Sequence, residues 1–205
     1  DISNNGGLRG PVCRGGRTEN WEGEKNWERD HATSPNTPAD GSCSTAEARK
    51  AVRQAIYEGA DVIKVIVQEG ATSLDLEELK AIVAEAHRAA GKVAVHAPDE
   101  ASARLAVEAG VDSIEHGYHL SEATFKLMAQ KGIYLVPTDL TVCANVSIDT
   151  QGKSLPSNKI RSIEAHWTER EKESHQRLLL ATRLGVPLAA GSDVFYPIEG
   201  QGRGS

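Results

Sequence analysis

The sequence predicts an α/β fold in which helices cover a parallel sheet. Two observations lead to this class. Segments whose apolar residues recur at helical spacing alternate with short apolar runs, and ionisable side chains that can bind metals follow several of these runs. Side chains gathered at the carboxyl ends of strands favour a (β/α)8 or TIM barrel over an open sheet. We predict five strands, so a partial barrel is expected.

Composition sets the broad class of the chain. Its 205 residues, 39% hydrophobic and 25% charged, are enough for one domain with a buried core. The net charge of -6 argues against a polyanion-binding surface, so nucleic acid is not an expected partner. No apolar run approaches the roughly 18 residues that span a bilayer, and the first ten residues lack a secretory signal. We expect a soluble chain with no membrane partner, with the compartment open and the cytoplasm slightly favoured.

The segment 1–43 differs from the rest of the chain. It is rich in glycine, asparagine and proline and has neither helical nor strand periodicity, which predicts an irregular arm or a lid loop. The barrel domain is predicted for 44–205. Because the chain begins at Asp1 and has a single methionine, we expect that the beginning of a longer product is missing. A disulfide between Cys13 and Cys43 is conceivable, but unpaired thiols are the preferred reading without a Cys-x-x-Cys pair.

The barrel elements follow in order. Ser44 is a plausible N-cap for a helix whose apolar residues recur at helical spacing until Gly59. The strand 61–67 is apolar on both faces except for Lys64, which is typical of a parallel strand covered by helices. The later predicted elements are helix 76–90, strand 92–97, helix 99–109, strand 113–117, helix 121–131, strand 133–138, an irregular segment 138–157, helix 158–184 and strand 186–192.

Glycines mark the predicted helix ends. Gly91, Gly110 and Gly132 each stand just before a predicted strand. Glycine is favoured there because a helix C-cap often takes the left-handed backbone conformation. We therefore expect three short loops that each lead directly into a strand.

Four residues in corresponding places predict a metal site. His96 and His116 end two successive strands, Asp193 follows the last strand, and Lys64 lies within the first. Imidazole and carboxylate are good ligands for zinc-like ions, and the carboxyl end of a barrel brings such side chains together. Lys64 is the exception, because an ammonium group repels a cation. A buried lysine can lose its proton, and the neutral amine can capture carbon dioxide as an anionic carbamate that could bridge two metals.

Three motifs that carry these residues resemble a known family. The segments GADVIKV, KVAVHAPDEASARLAVEAGVDSIEHG and GVPLAAGSDV resemble strands four, five, six and eight of the amidohydrolase superfamily of metal-dependent hydrolases. The resemblance is to its imidazolonepropionase-like and Xaa-Pro dipeptidase (prolidase-like) branch. It covers about 43–202, which implies an N- and C-terminally incomplete member containing strands four to eight of the barrel.

The resemblance implies roles for individual residues. Lys64 would be the carboxylated lysine that bridges two divalent metals, most often zinc, and His96 and His116 would ligate the second metal. Asp193 would bind the first metal and act as the general base in hydrolysis of an amide (peptide-like, N-acyl amino acid) or ester bond. Tyr118 and His119 would contact the small-molecule substrate.

The chain departs from the family pattern in one respect that leaves an alternative open. The family carries a His-x-His pair on strand one, and this sequence has none. The alternative is a catalytically incomplete barrel fragment that binds a ligand or forms oligomers. Because exposed sheet edges invite pairing, a homo-oligomer or a complementing chain is the expected partner.

Other polar residues near the strands have structural interpretations. Glu115 alternates with His116, which predicts that it points to the opposite side of the strand and has a hydrogen-bonding role. Asp99 is predicted to be a helix N-cap, and Asp139 is a weaker substrate-contact candidate. The charged run 168–177 is interpreted as the solvated face of a helix. The helical histidines are predicted to be solvated; they are His87, His166 and His175.

Overall fold

The computed structural model describes residues 44–67, 74–150, 153–191 and 193. The predicted arm 1–43, with Cys13 and Cys43, lies outside these residues, and Cys143 is exposed and free. The helices and strands are α1 (Thr45–Tyr57), β1 (Val62–Ile66), α2 (Leu76–Arg88), β2 (Lys92–Ala97), α3 (Glu100–Ala109), β3 (Ser113–His116), α4 (Glu122–Lys131), β4 (Tyr134–Val136), α5 (Val142–Thr150) and α6 (Ser157–Arg183).

The four strands of the described residues form one parallel sheet in the order β1-β2-β3-β4. Each strand pairs with the next in the chain, as Val62 does with Lys92 and Ala94 with Ser113. A helix connects each strand to the following one, so the chain advances in one direction around the sheet rather than reversing, as in a doubly wound fold. The predicted α/β class and partial (β/α) barrel are confirmed.

One face of the sheet packs against helices and forms the core. Apolar side chains alternate along the strands, and those on this face are fully buried, including Ile63, Val93 and Ile114. The helices contribute apolar stripes to the same core. These buried helical residues include Val52, Leu79, Ile82, Ala103, Ala106, Phe125 and Met128. The opposite face carries polar side chains, among them Lys64 and Glu115, beside apolar ones such as Ala94 and Val136.

Capping interactions define most of the helix starts. Ser44, Asp75 and Asp99 each form a capping box with the residue three positions later, and Ser121 accepts a hydrogen bond from the Thr124 N–H. The predicted N-cap role of Asp99 is therefore confirmed. Each capping side chain satisfies N–H groups that have no partner within the helix.

Two of the three predicted glycine C-caps are confirmed. Gly110 and Gly132 take left-handed conformations, with φ of 84° and 68°. The prediction for Gly91 is wrong, because Ala90 takes the left-handed turn with φ of 59°. A Cβ atom on Gly91 would lie 3.4 Å from the Ala86 carbonyl oxygen and 3.8 Å from Ile56 Cδ1. These are ordinary van der Waals distances, so neither the φ angle nor the packing requires glycine at position 91.

The segment after β4 contains a helix that the sequence analysis does not predict. It is α5, whose nine residues lie within the segment 138–157 that the sequence pattern predicts to be irregular. Its β-branched and small polar residues have low helix propensity, which conceals it in the sequence. The Thr141 hydroxyl accepts a hydrogen bond from the Ala144 N–H at 3.2 Å, and the Trp167 indole of α6 donates to Asp149 at 2.7 Å. Packing against α6 stabilises this helix.

The last predicted strand is reduced to a single parallel bridge between Leu135 and Leu188. The Leu135 N–H donates to the Pro187 carbonyl at 2.9 Å, and the Ala189 N–H donates to the Leu135 carbonyl at 3.0 Å. Pro187 itself has no N–H to extend the ladder. The bridge still directs this segment along β4 toward the carboxyl end of the sheet. Among the residues described, no helix is both long and apolar enough to cross a membrane.

Candidate active site

Strand register places three polar side chains on the face of the sheet opposite the helices. Lys64 lies opposite Ala94, and His96 lies opposite Glu115 in the neighbouring strand. Because side chains alternate along a strand, Lys64, His96 and Glu115 share one face. The Lys64 Nζ lies 3.6 Å from Glu115 Oε2, and Ser113 Oγ donates to Glu115 Oε1 at 3.0 Å.

His116 reaches this same face by a backbone distortion. Regular alternation with Glu115 would direct His116 toward the helices, but its φ is 73°, in the left-handed region. The imidazole instead faces His96, with 2.8 Å between His116 Nε2 and His96 Nδ1. The prediction that the Glu115 and His116 side chains point to opposite sides of the strand is therefore wrong, because the regular alternation of side chains ends at His116. Glu115 is part of the site.

The hydrogen bonds around His116 determine its tautomer. The Thr138 hydroxyl donates its one proton to the Pro137 carbonyl at 2.7 Å, so it can only accept from His116 Nδ1, which lies 2.7 Å away. This arrangement favours the tautomer in which Nδ1 carries the proton and Nε2 of the neutral ring carries the lone pair. In this arrangement the lone pair accepts a hydrogen bond from His96 Nδ1. It can instead bind a cation. Fixing one ring nitrogen through a second partner is how proteins orient metal-binding histidines.

The environment keeps His116 uncharged at neutral pH. Burial of the ring, followed by the positive charges of His96, Lys64 and Arg177, lowers the His116 pKa to about 4. Removing an imidazolium from water is costly, and nearby cations add to that cost. A neutral ring has the free lone pair that metal binding requires.

Left-handed backbone conformations cluster at this end of the sheet. His116, Thr138 and Asp193 have φ of 73°, 57° and 51°, and each ends or follows a predicted strand. Such conformations cost about 1 kcal/mol or more for residues other than glycine, so the surrounding structure must compensate. Their concentration at the strand ends is typical of a functional site.

The other predicted site residues differ in their proximity to His116. Asp193 Oδ2 lies 4.0 Å from His116 Nε2, and its side chain is mostly exposed. Tyr118 lies close, with its hydroxyl 3.2 Å from His116 Nδ1. His119 is exposed and, in the described part of the chain, makes no hydrogen bond or ring contact with these residues. The structure brings His96, His116, Tyr118 and Asp193 together, with Lys64 alongside.

Arg177 is a buried residue of the site that the sequence analysis does not single out. Its Nη1 donates to the His116 carbonyl oxygen at 2.6 Å, and its Nη2 bonds to the Asp139 carboxylate. The interpretation of the run 168–177 as wholly solvated is wrong at this position. Arg177 precedes the buried Ala181 by four residues, and this helical spacing is the signal that could have placed it on the inner face.

His87 is exposed, as predicted, and it also contacts a carboxylate. Its Nε2 lies 2.7 Å from Asp112 Oδ2, and the same carboxylate bonds to Lys92 Nζ and to the Val93 N–H. These residues lie at the amino ends of β2 and β3, away from His96 and His116. His87 therefore supports the sheet and is not part of the candidate site.

The donor set fits a divalent metal in its chemistry. Two ring nitrogens from separate strands face each other, one of them held neutral and correctly oriented, with a carboxylate nearby. Within the described ranges, no group of three or more His, Cys, Asp and Glu side chains is arranged to hold a metal ion. Lys64 is 39% exposed and paired with Glu115, so its amine is not fully buried.

Comparison with known proteins identifies the family. Residues 30–194 match the amidohydrolase family. The chain belongs to the amidohydrolase family. This amidohydrolase chain is 33% identical to ochratoxinase from Aspergillus niger over 164 residues, which are 76% of this chain and 32% of the relative. It spans about a third of the length of that curated relative.

Solved structures show the same relationship. A Xaa-Pro dipeptidase with methionine bound in its active site aligns with a TM-score of 0.58 and 29% identity, covering 80% of this chain and 42% of that one. A prolidase complexed with N-methylphosphonate-L-proline aligns with a TM-score of 0.61 and 27% identity, covering 81% and 43%. The predicted superfamily and its prolidase-like branch are confirmed by these matches.

Proposed function

We propose that this chain provides the metal-binding and proton-transfer residues of a metal-dependent hydrolase that cleaves amide or ester bonds. The observation that carries the proposal is the pairing of His116 Nε2 with His96 Nδ1, with Thr138 fixing the His116 tautomer. The amidohydrolase family and the similarity to ochratoxinase and prolidases support the same chemistry. Small amides, including dipeptides and N-acyl amino acids, are the proposed substrates.

His96 and His116 would hold the divalent metal, for which we propose zinc because two imidazoles and a carboxylate suit that ion. When bound, the metal supplies Lewis-acid polarisation of the substrate carbonyl. Asp193 would accept the proton of the attacking water and donate it to the leaving nitrogen or oxygen. The Asp193 carboxylate is mostly exposed and lies 4.0 Å from His116, so it is accessible to both the attacking water and the leaving group.

Lys64 is proposed to form the carbamate. A carbamate would stand beside Glu115, whose carboxylate now lies 3.6 Å from the Lys64 amine. Two adjacent anions repel unless a cation lies close to them. Carbamate formation at Lys64 should therefore require bound metal.

Tyr118 is the proposed substrate contact. Its hydroxyl lies beside His116, and its ring packs against two arginines, with Arg177 Cζ at 5.3 Å and Arg170 Cζ at 5.9 Å from the ring centroid. This places a hydrogen-bonding group and positive charge next to the proposed reaction centre. Both arginines are paired with carboxylates, Arg177 with Asp139 and Arg170 with Glu173, so the Tyr118 hydroxyl is the proposed contact. For His119, the proposed substrate contact rests on the family resemblance alone.

A second candidate function is a barrel fragment that binds ligands or oligomerises. In the part of the chain that the structure describes, β1 pairs with β2 on one side and has no strand on its other edge. The sequence also has no His-x-His pair for a first metal. We propose that a second copy or a complementing chain adds to the β1 edge, as exposed strand edges favour.

Hydrolysis of Xaa-Pro dipeptides and N-acyl amino acids by the zinc-loaded chain tests the proposal. Asp193→Asn should reduce kcat by about a hundredfold or more, since general acid-base catalysis supplies about that factor. His175→Asn, on the exposed side of α6, should leave the rate unchanged. A zinc-loaded chain that binds metal and oligomerises but hydrolyses none of these substrates would favour the second function.

A further inference from the structure

We propose that Arg177 is a positioning residue that holds the His116 imidazole against His96. The inference rests on the proposed metal-binding role of these two histidines. Arg177 lies on α6, 61 positions after His116, yet its Nη1 donates to the His116 carbonyl oxygen at 2.6 Å. Only 7% of its side chain is exposed, so this charge-assisted bond forms away from water.

The contact acts on the backbone that directs the His116 ring. His116 and Gly117 have φ of 73° and 56°, so the peptide between them lies in a turn of two left-handed residues. An extended conformation at His116 would direct its ring toward the helices. The Arg177 bond fixes the carbonyl of that peptide and thereby favours the conformation in which the ring faces His96.

The same guanidinium also holds the other partner of the ring. Its Nη2 bonds to Asp139, which directly follows Thr138, and Thr138 accepts the His116 Nδ1 proton. Thr138 too is left-handed, with φ of 57°. Ser174, one turn earlier on α6, donates to the same Asp139 carboxylate. Arg177 therefore links the carbonyl of His116 to the segment that fixes its tautomer.

A lysine could not make both contacts. The guanidinium presents several donors in one rigid plane, whereas an ammonium group is a single compact charge on a flexible stem. Arg177→Lys keeps the positive charge and removes the two-point link. Asp139→Asn keeps the His116 carbonyl contact and weakens only the second link. Arg161→Lys, at an exposed position of α6, is the matched control.

Two readouts test the inference. The first is the set of ring ¹⁵N signals of His96 and His116 in the metal-free chain, which report tautomer and ring contacts. The second is Zn²⁺ affinity, measured by competition with a chromophoric chelator. Arg177→Lys should move the His116 ring signals and weaken Zn²⁺ binding by about 10- to 100-fold, the usual effect of removing a group that orients a metal ligand. Asp139→Asn should act in the same direction with a smaller effect.

Thermal unfolding of each variant identifies loss of the fold. If Arg177→Lys does not fold, Asp139→Asn alone decides the question, since Asp139 is partly exposed. Folded variants whose His116 ring signals match those of Arg161→Lys would overturn the inference. Ring signals that move in a chain that binds no Zn²⁺ would support the positioning role while contradicting the proposed metal function.

Discussion

The Thr138 hydroxyl lies 2.7 Å from Nδ1 of His116 while donating its own proton to the Pro137 carbonyl. This arrangement leaves the Nε2 lone pair of His116 directed at His96. His116 ends β3 and Thr138 follows the neighbouring strand β4, and both residues have left-handed backbones. The orientation of the candidate metal ligand thus depends on a residue outside the ligand set.

Replacing Thr138 by valine should weaken Zn²⁺ binding by about 10- to 100-fold, because the His116 Nδ1 proton loses its acceptor and the tautomer is no longer fixed. The shape of the side chain is nearly unchanged. Isothermal titration of Zn²⁺ into the chelator-stripped chain measures the effect. Thr138→Ser should retain most of the affinity, and Thr182→Val, which removes an exposed hydroxyl of α6, should retain all of it. Equal affinities for Thr138→Val and Thr138→Ser would refute the role of the hydroxyl.

Gly117→Ala should lower the free energy of unfolding by about 2–4 kcal/mol, because alanine is strained in the left-handed conformation and its Cβ overpacks the site. Its Cβ would lie 2.9 Å from Leu135 Cδ1 and 3.1 Å from Leu120 Cδ1. Gly132→Ala is the control, since Gly132 has φ of 68° but no atom within 4 Å of a new Cβ. Denaturant unfolding of both variants separates the loss of stability caused by the steric clash from the loss caused by the left-handed backbone. Equal losses would show that Leu135 and Leu120 move aside freely.

Glu85 should make the fold sensitive to acid. Hydrogen bonds from Arg53 and then Arg88 lower the Glu85 pKa to about 2, compared with about 4.3 in an unfolded chain. The stabilisation is therefore fully present above about pH 4.3 and is lost as the pH falls from there toward about 2. We expect the difference in unfolding midpoint between the wild-type chain and Glu85→Gln to shrink over that range.

The depressed His116 pKa also destabilises the fold in acid, between about pH 6.5 and 4. That effect is common to the wild-type chain and Glu85→Gln, so it cancels in their difference. Glu108→Gln, on the exposed face of α3, supplies the baseline. A wild-type advantage over Glu85→Gln that stays constant from pH 5 to the acid limit of folding would contradict the proposed stabilisation.

The sequence predicts the fold well where the signals are local. The Asp99 N-cap and the left-handed Gly110 define α3, and the apolar runs locate four strands to within two residues at either end. The helix α5 is not predicted from the sequence, because its residues have low helix propensity and it is stabilised by tertiary packing against α6. The prediction of the last strand is wrong for the opposite reason. Its sequence pattern is strand-like, but Pro187 limits its pairing with β4.

The candidate site is predicted only in part. His96 follows from strand position, whereas the direction of the His116 ring depends on a left-handed residue that an alternation rule cannot anticipate. The same alternation rule places Glu115 on the wrong side of the strand relative to the His116 ring. Arg177 lies in a charged helical run, and its contact with His116 arises only when α6 packs against the strand ends.

The central claim is that His96 and His116 form a metal-binding pair. Calorimetric titration of Zn²⁺ into the chelator-stripped chain tests it most directly, with His96→Asn, His116→Asn and the control His175→Asn. We predict about one tightly bound equivalent for the wild-type chain and for His175→Asn, and its loss in the other two variants. Binding below about a tenth of an equivalent in the wild-type chain, or unchanged binding in a folded His116→Asn variant, would contradict the claim.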